Sequence, residues 1–327
     1  MSAAVIVDCG TTNLRCTLVD ARGQILAQGS RPGGVRHTAI DGHDGRLRSM
    51  LAECIEEVLQ KAEMRMEDVS RCVAFGMITS NMGLLEIPHL IAPVSAEDLR
   101  RGMRTKRFSQ IAPFEISFIP GVRNFAGSVT PENYSGMDMM RGEETETVGL
   151  FDLLRPRQES VFILPGSHNK FVRVSAGGEI LGCMTSISGE LLDAITHGTI
   201  LADAVGRAFA TEEDYDAEMA RRGAMECLRC GLGRSAFAGR ILNQLGGVES
   251  VRLRSYLLGA VLAQDALALR AFIPDDARVK VYIAGKMPLQ RAIRDVLDAM
   301  GIDDAEQVPP EISGRMGLNG AMKIAGL

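Results

Sequence analysis

The chain has 327 residues, 46% of them hydrophobic, which is too many for one ordinary core and suits two domains of about 100–200 residues each. Charged residues make up 24% and the net charge is -5, which excludes a broadly basic surface for nucleic acid or for an anionic membrane. No run approaches the roughly 18 apolar residues of a membrane span, and the start, MSAAVIVDCG, lacks the features of a signal peptide.

Seven scattered cysteines suit reduced thiols, so a cytoplasmic protein is expected. Cys227 and Cys230 form a single CxxC with no second pair. Two thiols on a helix are the expectation there, rather than a metal site.

In chain order, Val5 to Val7 is an apolar run ending at Asp8-Cys9-Gly10. Leu14, Cys16 and Leu18 then alternate with polar residues at the strand period of two. Arg22-Gly23 makes a turn into a third strand at Gln24 to Ala27. A helix is expected over 45–61, with Leu47, Leu51, Ile55, Val58 and Leu59 on one stripe, and a strand over 72–76. Three strands, a helix and a strand begin a mixed-sheet α/β domain rather than a Rossmann unit.

The second half repeats this plan. Phe162 to Leu164 is an apolar run ending at Pro165-Gly166, Phe171 to Val174 continues it, and Gly177-Gly178 turns into Glu179 to Leu181. Gly10-Thr11-Thr12-Asn13 and Gly166-Ser167-His168-Asn169 occupy matching places, which points to two similar domains. Helices are expected over 189–202, 214–228, 253–271, 289–300 and 316–324, and a strand over 279–285. Residues 121–136 are dense in turn formers and suit a domain boundary.

A tight glycine turn between strands exposes backbone N–H groups, and beside a hydroxyl it can cradle phosphate oxygens. Two such turns in matching places could hold the phosphates of one nucleotide. Asp8 could then bind Mg2+, directly or through water, or simply cap its turn. Neither GxxxxGK[ST] nor a GxGxxG after the first strand occurs, which disfavours a P-loop protein and a dinucleotide dehydrogenase.

Between the turns lies DMMRGEETETVGL, residues 138–150. The first turn of a helix accounts for two of its three glutamates. A phosphoryl transferase also needs a carboxylate to accept the proton of the attacking hydroxyl, and a glutamate just after Gly142 is placed for that.

These residues resemble the sugar kinase/actin/heat-shock ATPase superfamily, and within it the 2-keto-3-deoxy-galactonate kinases. The matching pieces are VDCGTTNLRCTLVD at 7–20, GMITSNMGLLEIPHL at 76–90, DMMRGEET at 138–145, LPGSHNKFV at 164–172 and SGELLDAI at 188–195. The last third matches mainly by pattern, with YIAG at 282–285 in the place of a nucleotide-base segment.

The resemblance implies ATP-dependent, magnesium-assisted phosphorylation of the terminal hydroxyl of a 2-keto-3-deoxy sugar acid. It implies two ribonuclease-H-like domains, with mixed sheets flanked by helices and the active site in the cleft between them. Residues 1–130 would form the substrate side and 131–327 the nucleotide side, with the last helix packing back on the first domain. Asp8, Gly10, Thr11, Thr12 and Asn13 would form one phosphate loop, and Gly166, Ser167, His168 and Asn169 the other. Glu143 would be the base, with Glu144 the other candidate.

Several residues carry two readings. Arg15 is either an ion-paired strand arginine or a cation near substrate. Arg141 either holds the substrate carboxylate or pairs with Glu143 or Glu144. Lys170 either neutralises phosphate charge or reaches to water, and His168 either contacts phosphate or bonds locally. Ser80, Asn81 and Glu86 are sugar-hydroxyl partners or ordinary loop polar residues. Gly285 is a strand-end turn or a surface for adenine.

The family's arginine and both its aromatics in the stretch after Gly-Met are replaced here, by Asn81, Leu84 and His89. Asparagine does not reproduce a bidentate grip on a carboxylate. This leaves another sugar acid, a polyol, or a non-catalytic sugar or nucleotide sensor as alternatives. The partner expected is a small molecule. A homodimer is among the assemblies left open.

Overall fold

A computed structural model describes residues 3–274 and 278–327. Two compact units divide the chain. The first runs to Pro156 and adds Ser175–Cys183 and Gly314–Leu327; the second holds Arg157–Val174 and Met184–Ser313. The boundary expected at 130/131 lies inside the first unit.

The first unit is built on a six-stranded sheet in the order Ile25–Pro32, Asn13–Asp20, Ala3–Cys9, Val69–Gly76, Glu115–Phe118, Arg104–Arg107. The first three strands are antiparallel, the next two pairings parallel, and the last antiparallel. Ala3–Cys9 is central and almost wholly buried, as its continuous apolar run requires. Helix Gly45–Lys61 lays the expected stripe of Leu47, Leu51, Ile55, Val58 and Leu59 into the core against Val5, Val7, Leu14 and Leu18. A small sheet of Leu90–Ile91, Val122–Arg123 and Met139–Met140 leads into helix Glu143–Leu154.

That helix crosses Met316–Ala325 at very short range. A Cβ on Gly149 would stand 1.9 Å from the Met316 carbonyl oxygen, and one on Gly320 1.8 Å from that of Thr145. Glycine at both positions is what lets the two backbones meet.

The second unit repeats the plan. Its sheet runs Ile180–Ser186, Asn169–Val174, Ser160–Leu164, Lys280–Ile283, Ala305–Gln307. Residues 184–186 of the first of these strands belong to this unit. The central strand Ser160–Leu164 is antiparallel to Asn169–Val174 and parallel to Lys280–Ile283, which is parallel to Ala305–Gln307. Val161, Ile163, Phe171, Val281 and Ile283 pack with Leu258, Leu262, Leu269, Ile293 and Val296 of the helices Ser250–Phe272 and Leu289–Ala299. Both units are thus mixed sheets flanked by helices, as expected.

Some bounds differ from the sequence pattern. The helix expected over 189–202 is Ser188–Gly198, ended by the extended Thr199. The helix expected over 214–228 is Ala217–Cys230, started by Asp216, whose Oδ1 accepts the Met219 amide. Helices Arg36–Asp41, Ala96–Gly102 and Leu232–Gln244 and the small sheet are additions. Cys227 and Cys230 are free thiols on the helix. Among the described residues no helix is long and apolar enough to cross a membrane.

Candidate active site

In the first unit the turn at Gly10 joins the first two strands. Gly10 N donates to the Asn13 carbonyl at 2.9 Å. The carbonyls of Gly10, Thr11 and Thr12 accept the amides of Val35, Arg36 and Gly33. The turn is therefore braced from behind, while Thr11, Thr12 and Asn13 stand exposed. Asn13 Nδ2 donates to Thr12 Oγ1 at 3.2 Å.

Asp8 sits just before this turn, directly opposite Arg15 in the antiparallel register. Arg15 Nη1 donates to Asp8 Oδ2 at 3.2 Å. Arg15 is thus an ion-paired strand residue, with most of its side chain still in solvent. Burial pushes the Asp8 carboxyl above its ordinary value; Arg15 pulls it down and Glu143 pushes it up.

The turn before Glu143 explains why that residue stands near Asp8. Gly142, at φ 118°, opens helix Glu143–Leu154, and a Cβ on it would lie 3.2 Å from the Gly76 Cα at the end of the neighbouring strand. The head of the helix therefore rests on the strand that pairs with Ala3–Cys9.

The two adjacent glutamates occupy different environments. Glu143 is half-buried, and its Oε2 accepts the Arg141 amide at 3.0 Å. Glu144 is fully buried. Its Oε1 and Oε2 both accept the Gly142 amide, at 2.9 and 2.8 Å, and Thr145 Oγ1 donates to Oε1. Burial and the neighbouring Glu143 push the Glu144 carboxyl up to about 8. Glu146, one turn along, is a residue the motif reading did not single out. Burial and the carboxylates of Asp8, Glu143 and Glu144 hold it well above its ordinary value. Its only advance signal is its place three residues from Glu143, on the same helix face.

Arg141 corrects an expectation. Its Nη1 donates to the Thr79 carbonyl and hydroxyl at 2.6 and 2.7 Å, and its Nη2 to the Ile87 carbonyl at 3.0 Å, with His89 Nδ1 at 3.3 Å. Among the described residues it forms no ion pair with Glu143 or Glu144, and its fork braces the 79–89 segment instead. Burial and the two flanking arginines, Arg141 and Arg123, push the His89 imidazole down to about 4.

Ser80 is also corrected. It is buried, and its hydroxyl donates to the Met77 carbonyl and accepts the Met82 amide, closing its own turn. Asn81 and Glu86 are exposed on the same segment.

In the second unit Gly166, Ser167 and His168 are exposed. Asn169 is not a surface ligand: it is buried, its Oδ1 accepts the Gly166 amide at 2.9 Å, and its Nδ2 donates to Asp265 Oδ2 at 2.6 Å. The Gly166 amide is thereby occupied within the protein. Lys170 is buried too, with its ammonium donating to Thr185 Oγ1, so it does not project from the turn. His168 Nε2 lies 3.0 Å from Glu190 Oε1, a local contact at the surface.

A cavity of about 810 Å³ opens beside this turn, wholly within the second unit. Gly166, Ser167 and Gly189 line one end, and Phe209, Leu257, Leu258 and Leu289 provide apolar wall. Arg254 also lines it, held by Asp214 and the Val205 carbonyl. Gly285, at φ 101°, donates its amide to Ser313 Oγ and packs on Pro165; the residues after it, Pro288 and Leu289, reach the cavity. Leu257 and Leu258 share helix Ser250–Phe272, Leu289 begins another helix and Phe209 lies outside the helices, and no motif in the sequence announces them.

The sequence profile of the 2-keto-3-deoxy-galactonokinase family matches residues 8–318. A Rhizobium meliloti protein assigned as a 2-dehydro-3-deoxygalactonokinase is 24% identical over 97% of this chain and 95% of its own length. A crystal structure from Sinorhizobium meliloti, likewise assigned, superposes with a TM-score of 0.77 at 22% identity, covering 99% of this chain and 98% of that one. The activator of the Clostridium difficile 2-hydroxyisocaproyl-CoA dehydratase, with bound ADPNP, is a more remote likeness in fold: TM-score 0.50, 12% identity, 99% and 94% coverage.

Proposed function

The chain belongs to the 2-keto-3-deoxy-galactonokinase family, a family of sugar-acid kinases, and from that membership we propose that it transfers the γ-phosphoryl group of ATP to the terminal hydroxyl of 2-dehydro-3-deoxy-galactonate, giving the 6-phosphate. The observation that carries the residue-level reading is Glu143. The residue is partly buried at the head of a helix and close enough to Asp8 to push that carboxyl up.

In this reading Glu143 accepts the proton of the attacking hydroxyl. The hydroxyl oxygen bonds to the γ-phosphorus as the bond to the β–γ bridging oxygen breaks, and ADP leaves. Glu144, buried and tied to the Gly142 amide, holds the start of the helix in shape. The exposed Thr11 and Thr12 of the first unit take phosphate oxygens, and so, in the second unit, do Ser167 and His168.

The cavity beside Ser167 takes the base and ribose of the nucleotide, for which its volume and apolar wall are suited. Asp8 suits Mg2+: Arg15 engages Oδ2, and a hard carboxylate oxygen completed by phosphate oxygens and water is the usual setting of that ion. When bound, Mg2+ would neutralise charge developing on the transferred phosphoryl group.

One observation favours a second reading within the same class. Arg141 is occupied in bracing its segment, and the residue in the family's arginine position is the neutral Asn81. A neutral polyol would not need the missing cation.

The test of the catalytic assignment is Glu143→Gln. Its kcat should fall about 10²–10⁴-fold, while ADP binding measured by calorimetry stays within twofold. Turnover near the wild-type level would remove Glu143 from the role of base.

A further inference from the structure

Helix Ser250–Phe272 is apolar over most of its length, and Leu262, Ala266 and Leu269 around residue 265 belong to the core. Asp265 is the exception in that stretch, buried with its carboxylate fully engaged. Its Oδ2 accepts Asn169 Nδ2 at 2.6 Å. Its Oδ1 accepts the hydroxyls of Ser186 and Ser188, each at 2.5 Å. Those two hydroxyls are 2.9 Å from one another.

Two of these partners, Asn169 and Ser188, lead to the second glycine turn, and Ser186 lies beside Ser188. Asn169 accepts the Gly166 amide. Ser188 begins helix Ser188–Gly198, whose next residue, Gly189, packs so closely that a Cβ would lie 2.2 Å from the Gly166 carbonyl oxygen. The Glu190 amide donates to the Ser167 carbonyl at 3.1 Å.

The chemistry of the carboxylate matters. An ionised carboxylate is acceptor-only, whereas a carboxamide has one accepting and one donating end. Asp265 therefore dictates which way the Asn169 amide points: Nδ2 toward the carboxylate, Oδ1 toward Gly166. The reversed amide would set an NH2 against the Gly166 N–H, donor against donor, and the turn would lose its anchor.

We infer that Asp265 is a positioning residue for nucleotide binding: through Asn169, Ser186 and Ser188 it fixes the Gly166–Ser167 turn and the start of the adjoining helix in the shape that receives phosphate. This rests on the reading that the second turn binds the nucleotide.

The experiment compares ADP binding by calorimetry and steady-state constants for wild type, Asp265→Asn, Asn169→Ala and the double variant. Asp265→Asn should weaken ADP at least tenfold and raise KM for ATP to match, with KM for the sugar acid within twofold. The double variant should be no weaker than the worse single one, because both act through one chain of bonds. An unchanged ADP affinity in a folded Asp265→Asn, or strictly additive losses, would overturn the inference and make Asp265 a purely structural group.

If Asp265→Asn does not fold, Ser186→Ala serves. It removes one donor and keeps the carboxylate, and it should weaken ADP about threefold; unchanged affinity there overturns the inference equally. A wild-type chain that binds no ADP would fail the nucleotide reading and this inference together, whereas a wild type that binds ADP and an Asp265→Asn that binds it equally would fail this inference alone.

Discussion

Glu144 and Glu143 share a backbone step, yet one is sealed in the protein and the other is only partly buried. Burial raises the Glu144 carboxyl from 4.5 to about 8. Between those two values the folded state holds a proton that the unfolded state releases, so stability is lost as pH rises from about 4.5 to about 8. Glu144→Gln keeps an acceptor for the Gly142 amide and does not ionise. It should match wild type near pH 5 and exceed it at pH 8.5, by on the order of 1–3 kcal/mol in urea titrations. Equal stability of the two at pH 8.5 would mean that Glu144 ionises freely in the fold. At this scale the glutamate motif was legible, because a glycine followed by acidic residues marks a helix start near a reacting group. The roles of Ser80, Asn169 and Arg141 were not. A residue's type does not reveal whether the fold has already satisfied its hydrogen bonds, as it has for all three.

Helix Glu143–Leu154 holds its place by a crossing that only glycine permits. At Gly320 an added methyl would lie 1.8 Å from the Thr145 carbonyl oxygen, a backbone atom that moves only if the helix moves. Gly320→Ala should therefore cost about 1–3 kcal/mol and lower kcat as the head of the helix shifts. Gly198→Ala, where the added methyl meets nothing within 4 Å, should change stability by about 0.5 kcal/mol or less. Similar urea midpoints for both variants would refute the crossing as the constraint. Long strands and the stripe of helix Gly45–Lys61 were legible because period and burial agree over many residues. The strands Leu90–Ile91, Val122–Arg123 and Met139–Met140 have two residues each, too few for any period to register. Helix Leu232–Gln244 follows its neighbour across the single residue Gly231, so no loop marks its start.

Across the molecule, the repeated strand–turn–strand plan was the strongest signal of architecture. Each unit carries a central strand antiparallel to the next in sequence and parallel to a later one. The repeat was visible because both halves place an apolar run, a glycine turn and an asparagine in the same order. It also misled in one respect: Asn13 is exposed, while Asn169 is buried over Asp265. Unit limits were harder to see, since the first unit recruits Ser175–Cys183 and Gly314–Leu327 from far along the chain.

The acceptor is the point on which family membership and the altered 79–89 segment pull apart, and one assay addresses it directly. ADP release is followed with ATP, Mg2+ and a panel of 2-keto-3-deoxy sugar acids, other sugar acids and neutral polyols, and the product is located by NMR. The account predicts the highest kcat/KM for 2-dehydro-3-deoxy-galactonate, with phosphate on its terminal oxygen. A neutral polyol preferred over every acid, or no acceptor-dependent ADP release at all, would contradict it.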